Sequence, residues 1–207
     1  MSLTKNILVA TLVASLLAGS VAGPASAAPK APDVRPWLLG VSDMPVGWSV
    51  YNIGDQTART GCWGPSVTLL SKHPASSGSV TYQENQDAST QVEMREALFS
   101  WPSGPAARQA WSLSVAGVAR CHQFRETSTG PVISVRALTP GDFGDASVAY
   151  ELTFTVGGMR FGVYYVLVVK GRAVGELYYA GIGAVLNLEL KSDVLPLFQK
   201  AIGKVTG

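Results

Sequence analysis

Polar and apolar residues alternate along much of this chain. Residues 79–86 place Val80 and Tyr82 on one side, and residues 91–100 place Val92, Met94, Glu96 and Leu98 on one side with Glu93, Arg95, Ala97 and Phe99 on the other. A period of two belongs to half-buried strands, not helices. Residues 48–52 read as an earlier strand behind the turn at 42–47. Further strands are predicted at 132–138 and 148–156, and Gly157-Gly158 then makes a two-residue hairpin turn. Residues 160–170 follow, with a continuous Val, Tyr and Phe content that predicts burial on both faces. Gly171-Arg172 turns that strand into the next, 173–180. Two stretches change to helical spacing. Ser103 is an N-cap candidate, and Ala107, Trp111, Ser114, Val115, Val118 and Cys121 or His122 recur every three or four residues. Val194, Leu195, Phe198, Ala201, Ile202 and Val205 form a second stripe from about Ser192. Hairpin-linked strands pair antiparallel, and each helix needs a sheet face for its stripe. The predicted fold is α+β: an antiparallel sheet of about six to seven strands with two main helices packed on one face.

The first residues follow another pattern. One charge, Lys5, precedes an apolar run at 7–23, and Ala25-Ser26-Ala27 is a small-x-small triplet. That order is a secretory signal peptide, residues 1–27, cleaved after Ala27. No cysteine follows the triplet, so a secreted, extracellular product without a lipid anchor is expected. Residues 28–36 hold three prolines and read as an extended, mobile segment. Residues 37–207 make up a single domain, long enough to bury a core.

Composition narrows the partners. The formal net charge is +2 and falls to +1 with loss of Lys5, and no run of Lys or Arg exists. A nucleic-acid partner needs a basic footprint, which is missing. After the leader no apolar run reaches the length of a membrane span. The two cysteines, Cys62 and Cys121, read as one disulfide in an exported chain, tying the end of the first helix to a loop. A reactive or metal-binding thiol is the weaker alternative.

Candidate chemistry is sparse. His73 and His122 lack zinc spacing, and no nucleophile elbow, P-loop or dinucleotide fingerprint is present. No cofactor or metal is expected. Asp142 with Asp145, or Glu93 with Glu96, are the carboxylate pairs that a hydrolase could use, if their separation suits. Aromatic residues give the stronger signal. Trp63 and Trp101 sit in loops or at strand ends, where they pack on the core rim or form a stacking platform. Tyr164-Tyr165 and Tyr178-Tyr179 lie on neighbouring strands, so one residue of each pair faces each side. Tyr164 with Tyr178, or Tyr165 with Tyr179, would line a ligand-facing surface if one sheet face were open.

Several short pieces together resemble a known family. They are Leu38-Leu39 with Asp43-Met44-Pro45 and Gly47-Trp48, a cysteine at 62, and a helix ending at Cys121. Gly144-Asp145-Ala146-Ser147, Val166-Leu167-Val168-Val169-Lys170-Gly171-Arg172 and a closing Ala201-x-x-Lys204-Val205 helix complete the set. The chain is similar to the actinobacterial secreted and lipoprotein sensor-domain proteins, and so to the extracellular domain of mycobacterial serine/threonine receptor kinases. The resemblance implies an antiparallel sheet with helices packed on it and a ligand cleft. It assigns no ligand residues, and this chain has neither a kinase nor a lipobox. The expected function is a non-enzymatic extracytoplasmic binding module for a small molecule, cell-wall fragment or lipid, with Trp63, Trp101, Tyr164, Tyr165, Tyr178 and Tyr179 as candidate contacts. Two alternatives stand beside it: an envelope protein–protein interaction module with an exposed aromatic sheet face, and a hydrolase with an unrecognised carboxylate pair.

Overall fold

The structure is a computed structural model that describes residues 30–54, 74–84, 92–125, 127–182 and 194–206. The expected signal peptide, Cys62, Trp63 and His73 lie outside the described residues. Strands β1 (Trp48–Gly54), β2 (Ser76–Glu84) and β3 (Val92–Ser100) form a first meander. Helix α1 (Gly104–Val118) follows, and then β4 (Gln123–Phe124), β5 (Ile133–Leu138), β6 (Ala146–Val156), β7 (Met159–Lys170) and β8 (Ala173–Ile182) form a second. Helix α2 (Leu195–Lys204) comes last. All eight strands join one antiparallel sheet in the order β1-β2-β3-β8-β7-β6-β5-β4.

The connection from β3 to β4 explains α1. Five strand spacings separate those strands in the sheet, roughly 24 Å. A helix of 15 residues reaches about 22 Å. Its start is set by Ser103, whose Oγ accepts from the Ala106 N–H at 3.3 Å. Its buried stripe of Ala107, Ser114 and Val118 packs on β7 and β8.

The fold expectation needs two corrections. The sheet has eight strands, not six or seven, and helix is limited among the described residues to α1, α2 and two three-residue 3-10 turns, Arg35–Trp37 and Val41–Asp43. The added strand is β4, whose two residues are too short to show a period. The helices also lie on opposite faces. On β7, Val163, Tyr165, Leu167 and Val169 share a core with Ala107 and Val118 of α1. Tyr164, Val166 and Val168 share the other with Leu197, Phe198, Ala201 and Ile202 of α2. A strand apolar on both sides needs cover on both sides, which one helix layer cannot provide.

The N-terminal segment packs on the domain from Pro32 onward. The Ser100 hydroxyl donates to the Pro32 carbonyl at 2.6 Å, and Val34 is fully buried with Trp37, Leu98, Ala173 and Val205. It continues as a strap, Leu39 and Met44 entering the α2-side core. Gly175 leaves room for side chains of the neighbouring strands and of α2: a Cβ there would meet Val168 at 3.1 Å, Leu98 at 3.2 Å and Ile202 of α2 at 3.4 Å.

Candidate functional site

Register decides where each aromatic residue points. Residues opposite one another in an antiparallel pair share a face. Tyr164 pairs with Tyr179 and Tyr165 with Tyr178, so the sets expected from sequence, 164 with 178 and 165 with 179, are exchanged. Tyr164 is buried under the Phe198 ring of α2, with centroids 5.9 Å apart and planes at 20°. Tyr179 is buried on the same side against Trp48. Tyr165 is buried on the α1 side, and its hydroxyl donates to Glu176 Oε1 at 2.7 Å. Burial raises the Tyr164 phenol above its ordinary value. These three tyrosines are core. Trp101 is core too, its ring buried beside α1 and its backbone N–H donating to the Arg172 carbonyl at 2.9 Å. Tyr178 alone among the described candidates is half-buried and reaches a cleft.

That cleft forms where the α1-side apolar ladder continues toward the β6–β7 turn. Successive cross-strand pairs on this face are Val148–Leu167, Tyr150–Tyr165, Leu152–Val163, Phe154–Phe161 and Val156–Met159. Burial decreases along it: Leu152 and Val163 are buried, Phe154 and Phe161 half-buried, Val156 and Met159 exposed. The two phenylalanine rings stack at 5.1 Å with planes 5° apart. With Tyr178, Val163, Ala180 and Glu93 they line a cleft of about 160 Å³. Its floor is aliphatic, its walls aromatic, and one carboxylate stands at its side. Such a concavity suits an apolar ring or chain end. Sequence reasoning missed Phe154 and Phe161. Each ends an alternating run next to Gly157-Gly158, and that hairpin turn, with both glycines at positive φ, makes them cross-strand neighbours.

One carboxylate pair separates and the other shares a cleft. Glu93 and Glu96 are an odd number of residues apart on β3, so they face opposite sides of the sheet. Asp142 and Asp145 both line a polar cleft of about 360 Å³ with Lys170 and Gln199. Asp145 is a turn clamp: its Oδ2 accepts from the Gly171 N–H at 2.9 Å and sits 4.0 Å from Arg108. Among the described residues no group of three or more His, Cys, Asp or Glu could hold a metal ion. Cys121 is buried at the end of α1, and no described cysteine is free.

The α2 side carries a second unforeseen feature. Glu96 is fully buried. Its Oε2 accepts from the Leu39 N–H at 2.8 Å, while Oε1 is buried without a hydrogen-bond partner among the described residues. Burial pushes this carboxyl up to about 7, against the opposing pull of the Leu39 N–H and Lys204. Tyr82 donates to the Leu39 carbonyl at 2.6 Å, and burial, with the Glu96 charge adding to it, pushes its phenol up to about 12. The signal was present in sequence as a single acid on the apolar side of the 92–98 alternation.

No protein-family model matches the chain, and no curated protein does. Among solved structures, the chain is similar in fold to the extracellular domain of PknH from Mycobacterium tuberculosis. The TM-score is 0.57 at 9% identity, covering 81% of this chain and 92% of that one. No helix among the described residues is long and apolar enough to cross a membrane.

Proposed function

We propose that this chain is a secreted, non-enzymatic binding module of the extracytoplasmic sensor type. It takes an apolar ring or chain end of a small molecule, lipid or cell-wall fragment into the cleft between Phe154, Phe161 and Tyr178. The aromatic cleft carries this reading: among the described residues the apolar ladder is covered by α1 at one end and left open at the other. The fold likeness to an extracellular domain supports the location, as does the leader at 1–27 with its Ala25-Ser26-Ala27 triplet. In that setting Cys121 pairs with Cys62, the only other cysteine of the chain.

A second reading has its own support. Val156 and Met159 are exposed beside the cleft, 46% and 52%, and would let the hairpin tip press on an envelope protein. Native mass spectrometry of the protein purified from its culture medium tests the first reading. A retained mass, lost in Tyr178→Ala and Phe161→Ala, is expected. Bare protein in every case would sink it. A retained mass that survives both substitutions would move the site elsewhere.

A further inference from the structure

The cleft leaves the most unusual polar group of the molecule unexplained. Glu96 lies on the opposite face, under the strap of residues 38–44. Two side chains of the sheet grip one residue of that strap: Glu96 takes the N–H of Leu39, and Tyr82 donates to its C=O. The strap then closes on itself through the Gly40 N–H, which donates to Asp43 Oδ2 at 2.7 Å. It is tied to α2 by Lys200 and Lys204, at 3.2 and 2.8 Å from the Asp43 carboxylate.

We propose that Glu96 makes this strap a pH-sensitive latch, seated on the sheet while the carboxyl is protonated and released as the carboxylate forms. The asymmetry of the two oxygens is the reason. Oε2 accepts from Leu39 N–H in either state. Oε1 has no donor, so the proton resides there without disturbing the grip. Ionisation puts a full charge on a buried oxygen that nothing solvates, an unfavourable state unless water reaches it. The barrier to water on that side is the strap itself, and its release is the relief that leaves the eight-stranded sheet intact.

The described surroundings do not supply the missing partner. From β2 the group facing Glu96 is Tyr82, a phenol already donating to Leu39. From β8 it is Leu177. From the strap it is Asp43, whose like charge adds to the cost of ionisation; from α2 it is Lys204, whose ammonium is engaged by Asp43. Asp43 is itself held below the ordinary carboxylate range by the Gly40 N–H and Lys204. It therefore stays ionised while Glu96 titrates.

A carboxyl that titrates near 7 when covered, and near its ordinary 4.5 when the strap is off, couples opening to protons. Between pH 5.5 and 8.5 the opening constant should rise about thirtyfold. Hydrogen exchange read residue by residue measures it, after correction for intrinsic exchange rates. In the wild-type protein the protection of the Leu39 amide should fall about thirtyfold over that range, and at both ends it should lie well below that of the Val166 amide in β7, because the strap opens while the sheet stays folded. Glu96→Gln, which retains an acceptor for Leu39 but cannot ionise, should abolish the pH dependence. Tyr82→Phe, which cuts the other tie, should lower protection at both pH values and keep the ratio. Both variants belong in a His73→Gln, His122→Gln background, so that no imidazole contributes. Equal protection of Leu39 at the two pH values would overturn the latch. So would a pH ratio that survives Glu96→Gln, or protection at Leu39 as high as at Val166, which would mean that the strap leaves only when the whole sheet unfolds.

Discussion

The two faces of the sheet are built to different ends. The α2 face is covered by a helix, a strap and a residue near the C-terminus, Val205, and it holds a fully buried carboxyl. Among the described residues the α1 face is sealed over its middle and then left open, with rings stacked at its margin and aliphatic residues exposed beyond them. Both faces are apolar. What distinguishes them is how far the cover extends. Composition alone cannot tell a core from a binding surface; the position of the covering helix along the strands does.

The most severe test compares equivalent rings on the two faces. Phe198→Ala removes a fully buried ring packed on Tyr164 and Phe143 and should cost about 3–5 kcal/mol in urea unfolding. Phe161→Ala, at the half-buried margin, should cost roughly 1–2 kcal/mol. Equal losses would mean that both faces are core and that the cleft is a packing defect.

Much of this fold was legible in the sequence. The seven longer strands and α1 stand close to where period and capping put them, because alternation, hairpin glycines and an N-cap serine are local signals. Face assignment was not legible, because it depends on which strand the chain returns to. The clue lay in residues 160–170, apolar on both sides, and it required a helix on each face. Register hid the tyrosine sets: pairing across Gly171-Arg172 joins Tyr165 to Tyr178, leaving only Tyr178 at the cleft. The hairpin at Gly157-Gly158 already made Phe154 and Phe161 cross-strand neighbours; what the sequence did not show was that the cover of α1 stops short of them.

A covalent tie is expected on the α1 side. Changing Cys62 and Cys121 together to Ser should lower stability by on the order of 4 kcal/mol, less any strain released. Free thiols in unreduced, denatured protein would refute the pairing outright.

Next in size is the pH dependence of the α2 face. The folded state holds the Glu96 proton more tightly than the unfolded chain, 7 against an ordinary 4.5. Stability is therefore full below 4.5, falls as pH rises toward 7, and is level above it, a loss on the order of 3 kcal/mol. Urea midpoints measured from pH 4.5 to 8 should show this decline in the wild type and a flatter profile in Glu96→Gln. A rise in stability over the same interval would contradict the buried, unpartnered state of Oε1.

The smallest effect lies at the sheet edge, away from both cores. Arg136 pairs with Glu151 at 2.7 Å, but the guanidinium side chain is 68% exposed. Arg136→Ala should change stability by less than about 1 kcal/mol. A larger loss would show that the β5–β6 edge matters more to the fold than its exposure implies.

The contrast between the faces is tested most directly by methyl NMR of the wild-type protein titrated with an apolar aromatic probe, anilinonaphthalene sulfonate. The methyl signals of Val163 and Ala180 on the cleft floor, and of Val156 beside it, should shift saturably. Those of Val166 and Ala201, between sheet and α2, should stay in place. Shifts confined to the α2 face, or no saturable shift at Val163 and Ala180, would contradict the assignment of one face to the core and the open margin of the other to binding.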